Sequence, residues 1–191
     1  MYNVIFVLGG PGAGKGTQCD RLAEKFDKFV HISAGDCLRE EQNRPGSKYG
    51  NLIKEYIKDG KIVPMEITIS LLETKMKECH DKGIDKFLID GFPREMDQCE
   101  GFEKSVCPAK FALYFRCGQE TMLKRLIHRG KTSGRSDDNI ESIKKRFVTY
   151  TKASMPVVEY LKSQNRLITI DAEQDPDAVF EDTVKALQPY L

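Results

Sequence analysis

Apolar residues along this chain gather in five short runs, at 4–8, 29–32, 87–90, 111–115 and 167–170. Each run is mainly apolar rather than alternating, as expected of strands covered on both faces of a parallel sheet. Between the runs, apolar positions recur every three or four residues, most clearly over 17–26, 50–58, 66–79, 120–129 and 140–153. That spacing predicts helices. Strand and helix therefore alternate, which predicts an α/β fold with a five-stranded parallel sheet and right-handed crossovers.

Local signals set the expected helix limits. Pro64 lies near the start of the helix that carries Ile67, Leu71, Leu72 and Met76. Gly60 and Gly83 stand where helix C-caps are expected. Ser33 to Asp36 and Asp138 to Glu141 each have capping-box spacing, which makes Ser33 and Asp138 the expected N-caps. Pro156 should end or kink the helix that carries Ile143, Phe147 and Tyr150. Two stretches interrupt the alternation. Residues 33–63 read as almost wholly helical, and 130–139 as a polar loop. Insertions of this kind in a compact domain tend to cover a functional site.

Composition narrows the classes of function. A chain of 191 residues, 40% hydrophobic and 31% charged, supports one globular domain. Thirty basic and 29 acidic side chains leave a net charge of +1, so no bulk field draws a nucleic acid or an acidic membrane. No basic segment followed by a long apolar core opens the chain, and the longest apolar runs are of strand length. The six cysteines are scattered without a Cys-x-x-Cys pair, which fits neither zinc ligation nor a disulfide framework. Reduced thiols in a cytosolic protein are the expectation. His31, His80 and His128 share no ligand-like spacing and read as structural or surface residues.

The strongest chemical signal is GGPGAGKGT at 9–17, directly after an apolar strand and before a helical segment. Its glycines allow backbone amides to approach phosphate oxygens closely, and a helix starting at about Thr17 adds a positive dipole end. Lys15 supplies a point charge for the β and γ phosphates. Gly16 separates Lys15 from Thr17, where the usual pattern has Ser or Thr straight after the Lys. The alternative, a glycine-rich turn, does not account for Lys15 in a strand–loop–helix setting. A nucleoside triphosphate site is the reading that results.

The segment 10–17 resembles the P-loop variant of the adenylate kinase superfamily, in which Gly-Thr after the Lys is normal. HISAGDCLRE (31–40) resembles the start of that family's monophosphate-binding region, FLIDGFPRE (87–95) its central strand and acceptor loop. RGKTSGRSDDN (129–139) resembles its lid in the short form. Within the superfamily, GKIVPMEITISLL (60–72) and SGRSDDNIESIKKR (133–146) are similar to UMP/CMP kinases. Ala34 stands where adenylate kinases usually carry Thr, whereas Gln98 stands where most UMP/CMP kinases present Asn to the base. A Gln amide offers a donor and an acceptor, so it can serve a pyrimidine C4 edge or an adenine edge. Preference among UMP, CMP, dCMP and AMP stays open on these residues.

The resemblance implies one nucleoside monophosphate kinase domain over 1–191, with a core (1–32, 64–129 and 141–191), a monophosphate-binding insert (33–63) and a lid (130–140). It implies phosphoryl transfer from ATP-Mg to UMP or CMP, with Mg2+ as cofactor and no nucleic-acid or membrane partner. A cytoplasmic monomer, small enough to diffuse into the nucleus, goes with it. ATP would lie against Gly12, Ala13, Gly14, Lys15, Gly16, Thr17, Arg129 and Gln174. The monophosphate would lie against Ala34, Arg39, Lys61, Ile62, Val63, Gly91, Phe92, Pro93, Arg94 and Gln98. Lys15, Arg94, Arg129, Arg135 and Arg146 are the implied catalytic residues; Arg135 and Arg146 also touch the monophosphate, and Asp137 and Asp138 pair with arginines as the lid closes. Asp90, at the carboxyl end of a predicted strand, is positioned to hold magnesium through water.

The chemistry suits these residue types. A phosphate acceptor has a second pKa of about 6, so it is ionised near neutral pH without a general base. Transfer then needs alignment and neutralisation of spread charge, for which the planar, always-charged guanidinium is well shaped. Each arginine taken alone also has a bland explanation: Arg146 as part of a solvated helix face, Arg129 as a last-turn cation. Competing readings are an adenylate kinase and a catalytically silent nucleotide-binding regulator. A GTPase is disfavoured because no guanine-reading Asn/Thr-Lys-x-Asp motif is present.

Overall fold

The computed structural model describes all residues, Met1–Leu191. Its centre is a five-stranded sheet in the order β2-β3-β1-β4-β5, with every pairing parallel. The strands are β1 (Asn3–Gly9), β2 (Phe29–Ser33), β3 (Lys86–Asp90), β4 (Phe111–Arg116) and β5 (Leu167–Asp171). The reason β1 reads as continuously apolar is visible in its packing. Val4, Phe6 and Leu8 enter one buried cluster, and Ile5 and Val7 enter another on the opposite face.

The helices are α1 (Lys15–Lys25), α2 (Ala34–Asn43), α3 (Gly50–Lys58), α4 (Met65–His80), α5 (Met96–Ser105), α6 (Gln119–Gly130), α7 (Ile140–Thr149), α8 (Met155–Ser163) and α9 (Pro176–Leu187). Helices α4, α5 and α8 cover the Phe6 face, where Phe6, Phe92 and Phe102 meet edge to face at centroid distances of 5.4–5.8 Å. Helices α1, α6, α7 and α9 cover the other face through Leu22, Leu126, Phe147 and Val179. A small third cluster, formed by Leu38, Ile53 and Val63 with Ile67 of α4, packs segment 33–63 onto that helix.

Several sequence expectations are corrected here. Helix α1 begins at Lys15, two residues before Thr17, so the lysine itself opens the helix. The insert is two helices separated by a turn, with 59–63 extending beyond the second, rather than almost wholly helical. Helices α5 and α9 did not stand out in the apolar pattern: α5 buries only Gln98, Cys99 and Phe102. The N-cap of α7 is Asn139, whose Oδ1 accepts the Ser142 N–H at 3.0 Å; Asp138 faces the arginines instead. Ser33 does cap α2, accepting from the Asp36 N–H at 3.1 Å. Gly60 and Gly83 both adopt positive φ just beyond helix ends, as C-cap glycines do.

Pro156 neither ends the helical rod nor acts alone. It sits in the first turn of α8, and the preceding residues Tyr150–Ser154 form a π-helical turn that joins α7 to α8. Proline lacks the N–H that would meet the carbonyl four residues back, and widening the turn accommodates that loss. The widened turn puts Ser154 Oγ 2.7 Å from the Arg94 carbonyl, to which it donates.

Candidate active site

A cleft of about 950 Å³ opens at the carboxyl ends of β1, β2 and β3. This is where the strand order reverses direction from the central β1, the position at which open α/β sheets bind ligands. The P-loop leaves β1 at Gly9 and turns into α1. Gly12 has φ +83°, and a Cβ there would stand 2.7 Å from the Met122 carbonyl oxygen, so the loop packs this closely on α6 only with glycine. No side chain caps α1 and no acidic residue occupies its first turn. Its leading N–H groups are thus left for an anion.

Lys15 Nζ donates to the Gly9 and Gly10 carbonyls, each at 3.0 Å, which holds the ammonium over the loop. Burial pulls its pKa down to about 8; Asp90 opposes this, while Arg94, Arg146 and Arg129 add to it. Burial likewise lowers Arg94, and it brings Arg146 down to about 10 against the pull of Asp137.

The other arginines are held by carboxylates. Arg129 makes a two-pronged pair with Asp138 at 2.8 and 2.6 Å, and Ser133 Oγ donates to the same carboxylate at 2.7 Å. Arg146 lies 3.4 Å from Asp137 and 3.5 Å from Asp138. Arg39 pairs with Asp36 at 2.6 Å, and Arg135 approaches the same carboxylate at 3.9 Å. Lys15 and Arg94 have no carboxylate within ion-pair distance, although both line the cleft. Two enclosed cations without a carboxylate to neutralise them define a place for a polyanion.

The structure brings together nearly every residue singled out from the sequence. Gly12 to Thr17, Ala34, Arg39, Lys61 to Val63, Asp90 to Arg94, Gln98, Arg129, Arg135, Asp137, Arg146 and Gln174 all line this cleft. Asp138 does not; its side chain is 1% exposed and lies behind Arg129 and Arg146. Gln98 is buried, with Oε1 accepting the Arg94 N–H at 2.9 Å and Nε2 donating to the Val63 carbonyl at 3.4 Å. Gln174 Nε2 is turned to Asp171 and Asp182.

Sequence reasoning missed four groups. His31 is not a bystander: its Nε2 contacts Asp90 at 3.0 Å and its Nδ1 contacts Asp20 at 2.7 Å. Burial pulls the His31 pKa down, but the two carboxylates more than offset this and leave it above its ordinary value. Arg125 donates to the carbonyls of Ala172, Gln174 and Ala13, tying the P-loop to the loop after β5. Its spacing of four from Arg129 put it on the same helix face and was the available signal. Thr68 Oγ1 and Gln18 Oε1 are the two buried side-chain polar atoms without a hydrogen-bond partner, and both residues line the cleft. Nothing in the sequence marks them, because an orphaned atom is defined by its neighbours.

A parallel sheet with a P-loop on its central strand and an arginine-lined cleft above it defines a phosphate-transferring class. Residues 7–166 match the pattern of the family described as adenylate kinase, and the chain belongs to that family. The chain is 53% identical over 191 residues to the uridylate kinase of Saccharomyces cerevisiae, covering 100% of this chain and 93% of that protein. It is 54% identical over 197 residues to the UMP-CMP kinase of Lentinula edodes (98% and 86% covered). With the UMP-CMP kinase of Homo sapiens the identity is 48% over 187 residues, covering 95% of each.

Proposed function

We propose that this chain is an ATP-dependent kinase of pyrimidine nucleoside monophosphates, transferring the γ-phosphoryl group of ATP to UMP or CMP. The observation that carries the reading is the pair of cations without a carboxylate partner, Lys15 on the P-loop and Arg94 on the loop after β3, in one cleft. They stand on separate loops, so two phosphate-bearing ligands can meet between them. The names of the relatives supply the acceptor class, and the run 60–72 agrees with it.

On this reading ATP lies along 12–17 with Arg129 and Gln174, and its phosphates supply Lys15 with the anionic partner it lacks. Arg39 and Arg94 hold the acceptor's phosphate, with Ala34, Lys61 to Val63, Gly91 to Pro93 and Gln98 around the rest of the nucleotide. Gln98 spends one N–H and one lone pair on the backbone, which orients the remaining N–H and lone pair toward a base. Arg135 and Arg146 close over the transferring group and neutralise its spread charge. The acceptor oxygen is already ionised, so no side chain needs to remove a proton.

Magnesium fits this site. Asp90 ends β3 beside the P-loop, where a Cβ on Gly16 would lie 3.5 Å from Oδ2, and a carboxylate so placed can hold the ion through water. When bound as ATP-Mg, the ion screens phosphate charge and aligns the oxygens. The insert 33–63 and the lid 130–140 serve as moving covers that keep water from competing as acceptor. The balanced charge supplies no bulk attraction for nucleic acid, and the likeness to short-lid members of the family supports a monomeric cytoplasmic enzyme.

The deciding experiment is ADP production from ATP-Mg with UMP, CMP, dCMP, AMP and GMP offered separately. The expected result is a kcat/KM for UMP or CMP more than about tenfold above that for AMP, or about 1.4 kcal/mol of discrimination. AMP ahead of both would make the chain an adenylate kinase with Gln98 reading adenine.

A further inference from the structure

We propose that Cys19, His31 and Asp90 form a binding site for a soft divalent metal of the zinc and cadmium class, at the floor of the cleft. The three residues come from α1, β2 and β3, and their donor atoms all lie within 4.8 Å of one another. Sulfur, imidazole nitrogen and carboxylate oxygen together match zinc-like ions, whereas magnesium prefers an all-oxygen shell. His31 and Asp90 line the cleft and Cys19 lies buried behind them, so an ion held by the three would keep a fourth position on the cleft side for water.

A second observation points the same way. Asp20 Oδ1 sits 2.7 Å from His31 Nδ1, on the far side of the ring from Asp90. A carboxylate on the second nitrogen fixes the tautomer and aims Nε2 at a metal, as outer-shell carboxylates do in zinc sites. His31 Nε2 already faces Asp90 Oδ2 at 3.0 Å, and Cys19 is fully buried against the apolar cluster that includes Leu22 and Leu88. Binding through sulfur releases the thiol proton, and binding through Nε2 leaves the ring proton on Nδ1, where Asp20 accepts it. Thiolate plus the Asp90 carboxylate then balance the charge of the dication. Because Asp90 is the residue assigned above to magnesium, and only to that extent resting on the proposed function, a soft metal here excludes productive ATP-Mg.

The test uses the full chain and cadmium ions alone, followed by the ultraviolet charge-transfer band of a cadmium thiolate and by calorimetry. One equivalent is expected to bind, with a band that Cys19→Ala and His31→Gln each remove or weaken more than tenfold. Cys19→Ala, which touches none of the proposed nucleotide contacts, is expected to keep its turnover and to lose more than tenfold in sensitivity to cadmium. His31→Gln retains all six thiols, so it reads the site even if Cys19→Ala folds poorly. Absence of the band in the unaltered chain, or an undiminished band in His31→Gln, would overturn the proposal. Neither result would bear on phosphoryl transfer, which the nucleotide assay reads separately.

Discussion

Arg94 illustrates how a single residue can be chemically free while its backbone is fixed. Its N–H donates to Gln98, its carbonyl accepts from Ser154, and its guanidinium has no carboxylate partner. Arg94→Ala should therefore leave the fold intact and lower kcat/KM for UMP about 10²- to 10³-fold, the scale for losing one donor to a developing anion. Lys15→Met should do the same through the ATP side. Steady-state rates paired with thermal melts check both; near-normal turnover would remove that residue from the mechanism. Thr68 behaves in the opposite sense. Its buried hydroxyl has no partner in the free protein, so Thr68→Val should leave the melting temperature unchanged or raise it. The same variant should raise KM for the monophosphate and leave KM for ATP alone. A drop in stability with unchanged KM would show that the hydroxyl serves the fold.

Elements show where local signals sufficed and where they misled. The P-loop was readable because strand, glycine run and helix are contiguous, and the error at α1 was only two residues. Spacing makes Asp138 an N-cap and the family resemblance pairs it with arginines; two arginines nine and eight residues away claim its carboxylate and leave the cap to Asn139. The α2–α3 turn depends on a comparable carboxylate. Glu41 accepts from Arg44 at 2.9 and 2.8 Å and from Ser47 at 2.6 Å, which holds its pKa down to about 2. A carboxylate with a lowered folded pKa contributes stability at neutral pH that fades as pH falls from about 4.5 toward 2. Glu41→Gln should lower stability at pH 7 and flatten this part of the acid dependence. Melts between pH 7 and pH 3 measure it; parallel curves for both proteins would contradict the assignment.

At the scale of the whole molecule, the segments proposed as covers are joined to the rest by specific hydrogen bonds. The insert is already tied to α7: Ser142 Oγ donates to the Lys58 carbonyl and Thr149 Oγ1 to the Gly60 carbonyl, at 3.1 and 2.8 Å. Arg135 of the proposed lid approaches Asp36 of α2 at 3.9 Å. Closure over two anionic ligands should tighten both seams, because ligand phosphates supply what Lys15 and Arg94 lack. Small-angle scattering with and without a bisubstrate inhibitor should report a smaller radius of gyration in the bound state. Identical curves would argue that the covers do not move.

The sequence by itself determined the strands, the P-loop, the α/β class and the motif residues that the cleft brings together. These depend on near neighbours along the chain or on motifs whose spacing carries their mechanism. Tertiary structure alone decided which cations are free, which carboxylate holds which arginine, and that His31 joins Asp20 to Asp90. It also decided that Pro156 resolves into a widened turn supporting Arg94. Each of those outcomes is a competition between groups far apart in sequence for one partner or one space, and the winner is set by distance and burial.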